Sequence, residues 1–229
     1  MILAGHAYNN FKINKFLILK NKFISATDSN EDFVCNKIFP FTYTFDDGLS
    51  NLLHVDKVLA DLGNIKFRFF ISPLLIEKNL SKDKKFIMSK LKMNVKSLLT
   101  WDQIGYLVDR GHILGLHGYD HTDLNILSKN RIIDDHQLSI EMLNKRISYK
   151  ANSFAFPFGR IIIKDKIIKN LQIDIAKKFF SRIYLSDNRI PIFGYNGIYN
   201  RRHSEFNNFL TINLLKGFFQ KFKNKNFIY

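Results

Sequence analysis

The sequence predicts an α/β fold whose parallel sheet curls into a barrel or barrel-like form. Three observations carry this reading. Apolar, strand-like runs alternate with segments of helical periodicity, the pattern of βα units joined by right-handed crossovers. At least five such units follow one another without a linker, which a barrel accommodates more economically than an open sheet. Finally, Asp46-Asp47, His117 and the Pro-Phe-Gly run at 157–159 all fall just after strands. In a barrel that is where side chains from separate strands converge on one rim.

Taken in order, "FLIL" (16–19) and "FISA" (23–26) around a short Lys-Asn-Lys turn read as an opening hairpin. "FTYTF" (41–45) is a strand. The segment 50–63 has apolar residues at helical spacing (Leu52, Leu53, Val55, Val58, Leu59, Leu62), and Gly63 stops it. "IKFRFFIS" (65–72) is the next strand. "LTWDQIGYLVDRG" (99–111) is a helix with Thr100 as N-cap and Gly111 as C-cap. "HILGLHG" (112–118) is a short strand, and 127–147 a long helix capped by Ser128. "SFAFPFG" (153–159) reads as a strand, 164–179 as a helix and "FSRIYLS" (180–186) as a strand.

The chain has 229 residues, 46% hydrophobic and 24% charged, a globular composition with enough apolar mass for one substantial core. No repeat, low-complexity tract or flexible linker divides it, so residues 1–229 are expected to form a single domain. The net charge is +15. That would suit a phosphate-bearing substrate or an anionic membrane surface. The lysines are scattered rather than clustered, and abundant Phe, Ile, Asn and Lys are the usual product of an AT-rich coding sequence, so nucleic acid is not an expected partner. The single cysteine, Cys35, excludes an intrachain disulfide and a cysteine-based zinc site. Lys12, Lys15 and Lys20 interrupt the apolar core that a signal peptide needs, and no stretch has the length of a transmembrane helix. A cytoplasmic location is therefore expected. Near the C-terminus, apolar positions 209, 210, 214, 215 and 218 lie among Lys216, Lys221, Lys223 and Lys225. This reads as a helix over 206–229 that docks on the barrel or contacts a membrane surface peripherally.

His117 and His121 stand four residues apart, a spacing that lets two imidazoles turn toward one metal ion. By itself the pair is weak, and Asp46-Asp47-Gly48 by itself is a strand-to-turn signal. Together they describe a site of two histidines and a carboxylate with coordination positions left open. Such a site polarises a carbonyl and lowers the pKa of bound water toward about 7. One aspartate then serves the metal while its neighbour stays free to accept a proton.

"TFDDG" (44–48), "HGYDH" (117–121) and "FAFPFG" (154–159) resemble, in order and spacing, the motifs of the polysaccharide deacetylases, the NodB-homology enzymes of carbohydrate esterase family 4. The resemblance covers residues 40–205 and is closest to a branch whose third motif reads FAYPYG. It implies a distorted (β/α)7-type barrel, with 1–39 as an N-terminal extension, 40–205 as the catalytic core and 206–229 as the terminal helix. Carried over residue by residue, it makes Asp47, His117 and His121 the ligands of a divalent metal, Zn2+ before other divalent transition metals, and Asp46 the catalytic base. Pro157 and Phe158 would line the substrate, with the Phe158 backbone N–H helping to hold the oxyanion. Such a donor is worth roughly 3–4 kcal/mol and needs no hydroxyl.

Several positions depart from the family pattern. Gly118 stands where Ser or Thr usually braces the histidine loop, and Ala155 where an arginine often orients the base. Trp101 is the only tryptophan, so the fourth-motif tryptophan is missing. The general acid falls by position to His203, although a surface role competes equally. Arg201 or Arg202, on a late strand, would orient the base or bind substrate. His112 reads as structural, and His6, His54 and His136 as surface or satisfied residues. Phe156 and Phe158 read either as core aromatics at the barrel mouth or as an apolar wall for a sugar ring.

The resemblance implies a metal-dependent hydrolase that removes an N-acetyl group from an amino sugar of a polysaccharide or its precursor, the latter lipid-linked or nucleotide-linked. Two alternatives stay open: a deformylase or other non-peptide amide hydrolase on the same site, and a non-catalytic glycan-binding homologue.

Overall fold

The computed structural model describes residues 2–5, 34–35, 40–61, 66–78, 80–159, 171–186, 194–195 and 197–203. The hairpin expected at 16–26, the helix expected at 206–229 and positions 164–170 of the helix expected at 164–179 lie outside the described residues.

The chain enters through strand β1 (Ile2–Gly5), and the short β2 (Val34–Cys35) pairs antiparallel with β3 (Pro40–Phe45). Helix α1 (Leu52–Asp61) leads to β4 (Arg68–Ile71), followed by the short helix α2 (Pro73–Glu77) and helix α3 (Leu80–Leu91). Next come α4 (Trp101–Asp109), β5 (Ile113–Leu116), the long α5 (Lys129–Ile147), β6 (Ser153–Ala155), α6 (Leu171–Ala176) and β7 (Arg182–Leu185). Strands β8 (Gly194–Tyr195), β9 (Ile198–Asn200) and β10 (Arg202–His203) complete the described chain.

Strands β1, β3, β4, β5, β6, β7 and β9 follow one another as parallel neighbours, except that β9 reaches β1 through its own continuation. β9 pairs with β7, and β10, one residue further along, pairs with β1. The two ends of the sheet therefore meet at Arg201, and seven parallel strand positions run round a ring among the described residues. This is the barrel that the sequence pattern predicts, of the (β/α)7 type that the family resemblance implies.

Strands in such a barrel are buried on both faces, so they read as nearly continuous apolar runs. In β4, all four residues are buried. Phe69 and Ile71 join the large core under the helices with Phe45, Leu114, Leu116, Phe154, Ile183 and Leu185. Phe70 belongs to a separate interior cluster with Ala155, Tyr184 and Tyr199. A Cβ on Gly115 would lie 2.5 Å from the Phe70 ring and 2.6 Å from Ser153 Oγ, so only glycine lets β5 pass that ring. Two arginines also occupy the interior. Arg68 donates to Ser153 Oγ at 2.8 Å and lies 5.3 Å from the Tyr184 ring centre; Arg201 lies near the Phe70 and Tyr184 rings.

The helix caps follow the sequence closely. The Thr100 hydroxyl accepts the Gln103 N–H while the Gln103 side chain accepts the Thr100 N–H, a capping box. At the other end the cap is Arg110, one residue before the expected Gly111. Gly111 (φ 87°) donates to Val108 O and His112 to Leu107 O, the paired bonds of a Schellman turn. The helix expected to reach 179 ends at Ala176, because Lys178 and Phe179 tighten into i→i+3 bonds. Strand bounds are shorter than expected: β4 begins at Arg68, and after β6 the chain turns through a 3-10 segment at Pro157–Gly159. Helices α2 and α3 have no counterpart in the sequence expectations. Four of the twelve residues of α3 are lysines, and Ile87 and Leu91 are its buried residues, so its apolar period is faint.

His112 is structural, as expected. Its Nδ1 accepts the Phe67 N–H, its Nε2 meets Asp56 Oδ1 at 2.6 Å, and Arg110 Nε lies 3.1 Å from both Asp56 oxygens. This cluster lies where β4 and β5 begin, at the end of the strands away from the site. His54 is exposed. His136, in contrast, is neither a surface residue nor a hydrogen-bonded one. It is fully buried on α5 with the rings of Phe154, Phe179 and Phe180 edge-on to it, and neither ring nitrogen has a hydrogen-bond partner. Its nearest charge is Asp135 Oδ1, 3.5 Å from Nδ1.

Candidate metal centre

β3 ends at Phe45, and the next three residues leave the sheet abruptly. Asp47 (φ 71°) and Gly48 (φ 65°) both adopt the left-handed conformation, which swings the chain away while leaving both carboxylates on the rim. β5 ends at Leu116, and His117 still bonds to the Ile71 carbonyl at 2.8 Å. Gly118 (φ 75°) and His121 (φ 60°) then close a tight loop that turns both imidazoles inward.

The structure thereby brings Asp47, His117 and His121 together, all buried, with one donor atom from each within 4.8 Å of the others. Asp47 Oδ1 lies 3.2 Å from His121 Nε2 and 3.6 Å from His117 Nε2. Each histidine is fixed from behind. His117 Nδ1 donates to Ala155 O at 2.8 Å, and His121 Nδ1 to Lys90 O at 2.9 Å. With the proton held on Nδ1, each Nε2 presents its lone pair to the Asp47 side, the tautomer a metal ligand needs. Burial pushes the His117 imidazole down to about 4, against the pull of the Asp46 carboxylate, so the ring is neutral near pH 7. The donor set and its orientation fit a divalent ion.

Asp46 points into the barrel. Arg201 Nη1 and Nη2 meet its two oxygens at 2.6 and 2.8 Å, and Nη1 also donates to Thr44 Oγ1 at 3.2 Å. Arg201, one of the two arginines expected to orient the base or bind substrate, therefore reaches Asp46. Arg202 and His203 lie in β10 with their Cα atoms opposite Leu3 and Ala4; their side chains lie outside the described residues.

Pro157 is buried against the histidine loop, its Cγ 3.3 Å from where a Gly118 Cβ would stand. Phe158 (φ 62°) is 38% exposed, with its ring centre 4.7 Å from that of His121. Phe156 is buried in the core, edge-on to Phe154, so the wall facing solvent at the mouth is Phe158. The described non-glycine residues with positive φ are Asp47, Lys92, His121, Ser148 and Phe158. Lys92 follows α3 directly and Ser148 caps α5, where such conformations end helices. Asp47, His121 and Phe158 instead share one rim, and backbone strain of this kind concentrates at functional sites.

Sequence reasoning missed the residues that hold the histidine loop. Ser72 Oγ donates to His117 O, the Leu74 N–H to Tyr119 O, and the Tyr119 N–H to Asp135 Oδ2, at 2.8, 2.9 and 2.8 Å. Lys90 Nζ binds Asp120 Oδ2 at 2.5 Å and Thr122 Oγ1 at 2.8 Å. The signal for Asp135 was present: it falls on the buried stripe of α5 with Ile132, Ser139 and Leu143, where a carboxylate is out of place.

A family model described as Polysaccharide deacetylase matches residues 36–175. A search of curated proteins gives no significant match. Among solved structures, a de-N-acetylase from Aggregatibacter actinomycetemcomitans is 16% identical, with a TM-score of 0.67 over 93% of this chain and 98% of that one. The Streptococcus pyogenes deacetylase PplD, solved with acetate, is 17% identical, with a TM-score of 0.66 over 94% and 96%. IcaB from Ammonifex degensii is 17% identical, with a TM-score of 0.60 over 95% and 96%. At these identities the structural likeness establishes the shared fold.

Proposed function

This chain belongs to the polysaccharide deacetylase family, and we propose that it hydrolyses the N-acetyl group of an amino sugar in a glycan or its precursor, releasing acetate and the free amine. The observation that carries this reading is the juxtaposition at one barrel rim of a buried Asp47–His117–His121 cluster and an Asp46 carboxylate gripped by Arg201. A divalent ion held by Asp47, His117 and His121 supplies Lewis acidity toward the amide carbonyl and the attacking water; the mixed imidazole–carboxylate set suits Zn2+ and its neighbours.

The protein's own groups do the rest. Asp46 accepts the proton of the attacking water, held in one orientation by the two parallel bonds from Arg201. The Phe158 backbone N–H, at a left-handed residue on the same rim, would donate to the oxygen that gains charge. Proton delivery to the departing amine falls to His203, whose backbone lies at the end of β10, just past Arg201. The third motif, with Ala155 and its base-orienting arginine supplied from another strand, supports a place in the FAYPYG branch. The net charge of +15 supports an anionic or phosphate-bearing glycan as substrate.

The test is acetate release from N-acetylated oligosaccharides and sugar precursors, with N-formylated analogues in parallel. Activity should vanish on chelation and return with a divalent ion, and Asp46→Asn should cost about 10²–10⁴-fold in kcat. Release that persists after chelation, or preference for the formyl substrates, would sink this reading.

A further inference from the structure

We infer that Asp135 is a positioning residue for the candidate metal centre, setting the geometry of the two histidines through the peptide between them. It rests on reading Asp47, His117 and His121 as metal ligands. Both histidines stand on one five-residue loop, and Tyr119 is its midpoint. The Tyr119 carbonyl accepts the Leu74 N–H at 2.9 Å, while its own N–H donates to Asp135 Oδ2 at 2.8 Å. The peptide groups on both sides of the midpoint are thus pinned, one to α2 and the other to a side chain rising from α5. The torsions that aim His117 and His121 at a common point have little freedom left.

The placement of Asp135 on its helix is costly without this contact. It is buried, on the stripe that α5 turns to the core, and a carboxylate there must find donors or lose several kcal/mol. Its other oxygen, Oδ1, faces His136 Nδ1 at 3.5 Å, too far for a good hydrogen bond. The Tyr119 amide is therefore its close donor. Gly118 completes the fit. Its φ is +75°, and a Cβ there would stand 3.5 and 3.6 Å from the two Asp135 oxygens and 3.3 Å from Pro157. A bare backbone lets the loop settle onto the carboxylate, and the helix supplies the brace that no side chain at 118 provides. Among the described residues the side-chain bonds of His117 and His121 run to Ala155 O, Lys90 O and the Asp46–Asp47 carboxylates rather than to Asp135, so the effect of Asp135 passes through Tyr119.

The experiment uses the full chain with Asp135→Ala and Asp135→Asn, measuring Zn2+ affinity by competition with a chromophoric chelator and the urea midpoint of the same samples. Asp135→Ala should weaken Zn2+ binding about 10–100-fold, the usual loss when a group that orients a ligand is removed. Asp135→Asn keeps an oxygen for the Tyr119 N–H and should bind nearly as the parent does. Equal affinity in Asp135→Ala and parent, or equal losses in both variants, overturns the inference. Amide hydrogen exchange at Tyr119 in the unmodified chain decides the matter if Asp135→Ala does not fold. Slow exchange, retained in Asp135→Asn, supports the brace, and exchange at the rate of an open loop overturns it. An unmodified chain that binds no Zn2+ would sink the proposed function instead, while the Tyr119 exchange would still show whether the brace exists.

Discussion

Arg201 reaches across the seam of the barrel to grip Asp46 with two parallel hydrogen bonds, 2.6 and 2.8 Å long. The two residues stand 155 positions apart in the chain, and the guanidinium is fully buried beside the paired Phe70 and Tyr184 rings, 5.2 and 5.9 Å from their centres. The position in β6 from which the family resemblance would draw an arginine holds Ala155, and the same barrel interior is filled from the closing strand instead. A planar fork matches a carboxylate in a way an ammonium does not.

Arg201→Lys should therefore keep a positive charge yet lose the orientation of Asp46. We expect kcat to fall about 100-fold, the lower end of a general base's contribution, with KM for an acetylated glycan little changed. Arg201→Met, which leaves Asp46 buried without its cation, should lower stability by about 3–5 kcal/mol in urea unfolding. A Lys variant with unchanged kcat would remove Arg201 from the positioning role.

The strands and the site motifs were legible because each rests on local chemistry. A strand buried on both faces reads as an apolar run, and "FDDG" and "HGYDH" are dense in groups that a turn alone does not need. What was not legible depends on register. Arg201 and Arg202 are indistinguishable in sequence, and only the pairing of β9 with β7 and β10 with β1 brings Arg201 into the interior. β1 is four residues long, and α3 is a lysine-rich surface helix, so neither shows a strong period. Arg68 and Asp135 are single charges inside apolar patterns, and what marks them is burial, which depends on partners distant in sequence.

Acid should destabilise the metal-free protein well above the carboxylate range. Burial holds the His112 imidazole below its usual 6.5, against the bond from Asp56, and holds His117 at about 4. In each case the unfolded chain takes up a proton first as pH falls through about 6.5, so stability declines from that point downward. For His117 the decline runs from about 6.5 to about 4 and amounts to about 3 kcal/mol. Asp56 adds in the same direction lower down. Burial raises its pKa, but the bonds from His112 and Arg110 outweigh that and leave it below 3.8, so its contribution is present above that pH and lost beneath it. Urea midpoints of chelator-treated protein should fall steadily between pH 7 and pH 4.5; a flat or rising trend would contradict the buried neutral state of both histidines.

Phe158 separates two roles that one residue combines. Its backbone is held left-handed at φ 62°, where the N–H serves the reaction in the proposed mechanism, while its ring stands 38% exposed beside His121. The N–H survives any substitution but proline; the ring does not. Phe158→Tyr should therefore leave both kcat and KM near the parent values, because a hydroxyl at the solvent edge changes neither feature. Phe158→Ala removes an apolar face that a sugar ring would cover. Full burial of such a side chain is worth roughly 1.5–3 kcal/mol, and half of that raises KM about 4- to 13-fold with kcat nearly unchanged. Steady-state kinetics on one acetylated oligosaccharide distinguishes the cases. A fall in kcat at constant KM in Phe158→Ala would mean that the ring, by packing on His121, holds the metal centre rather than the substrate.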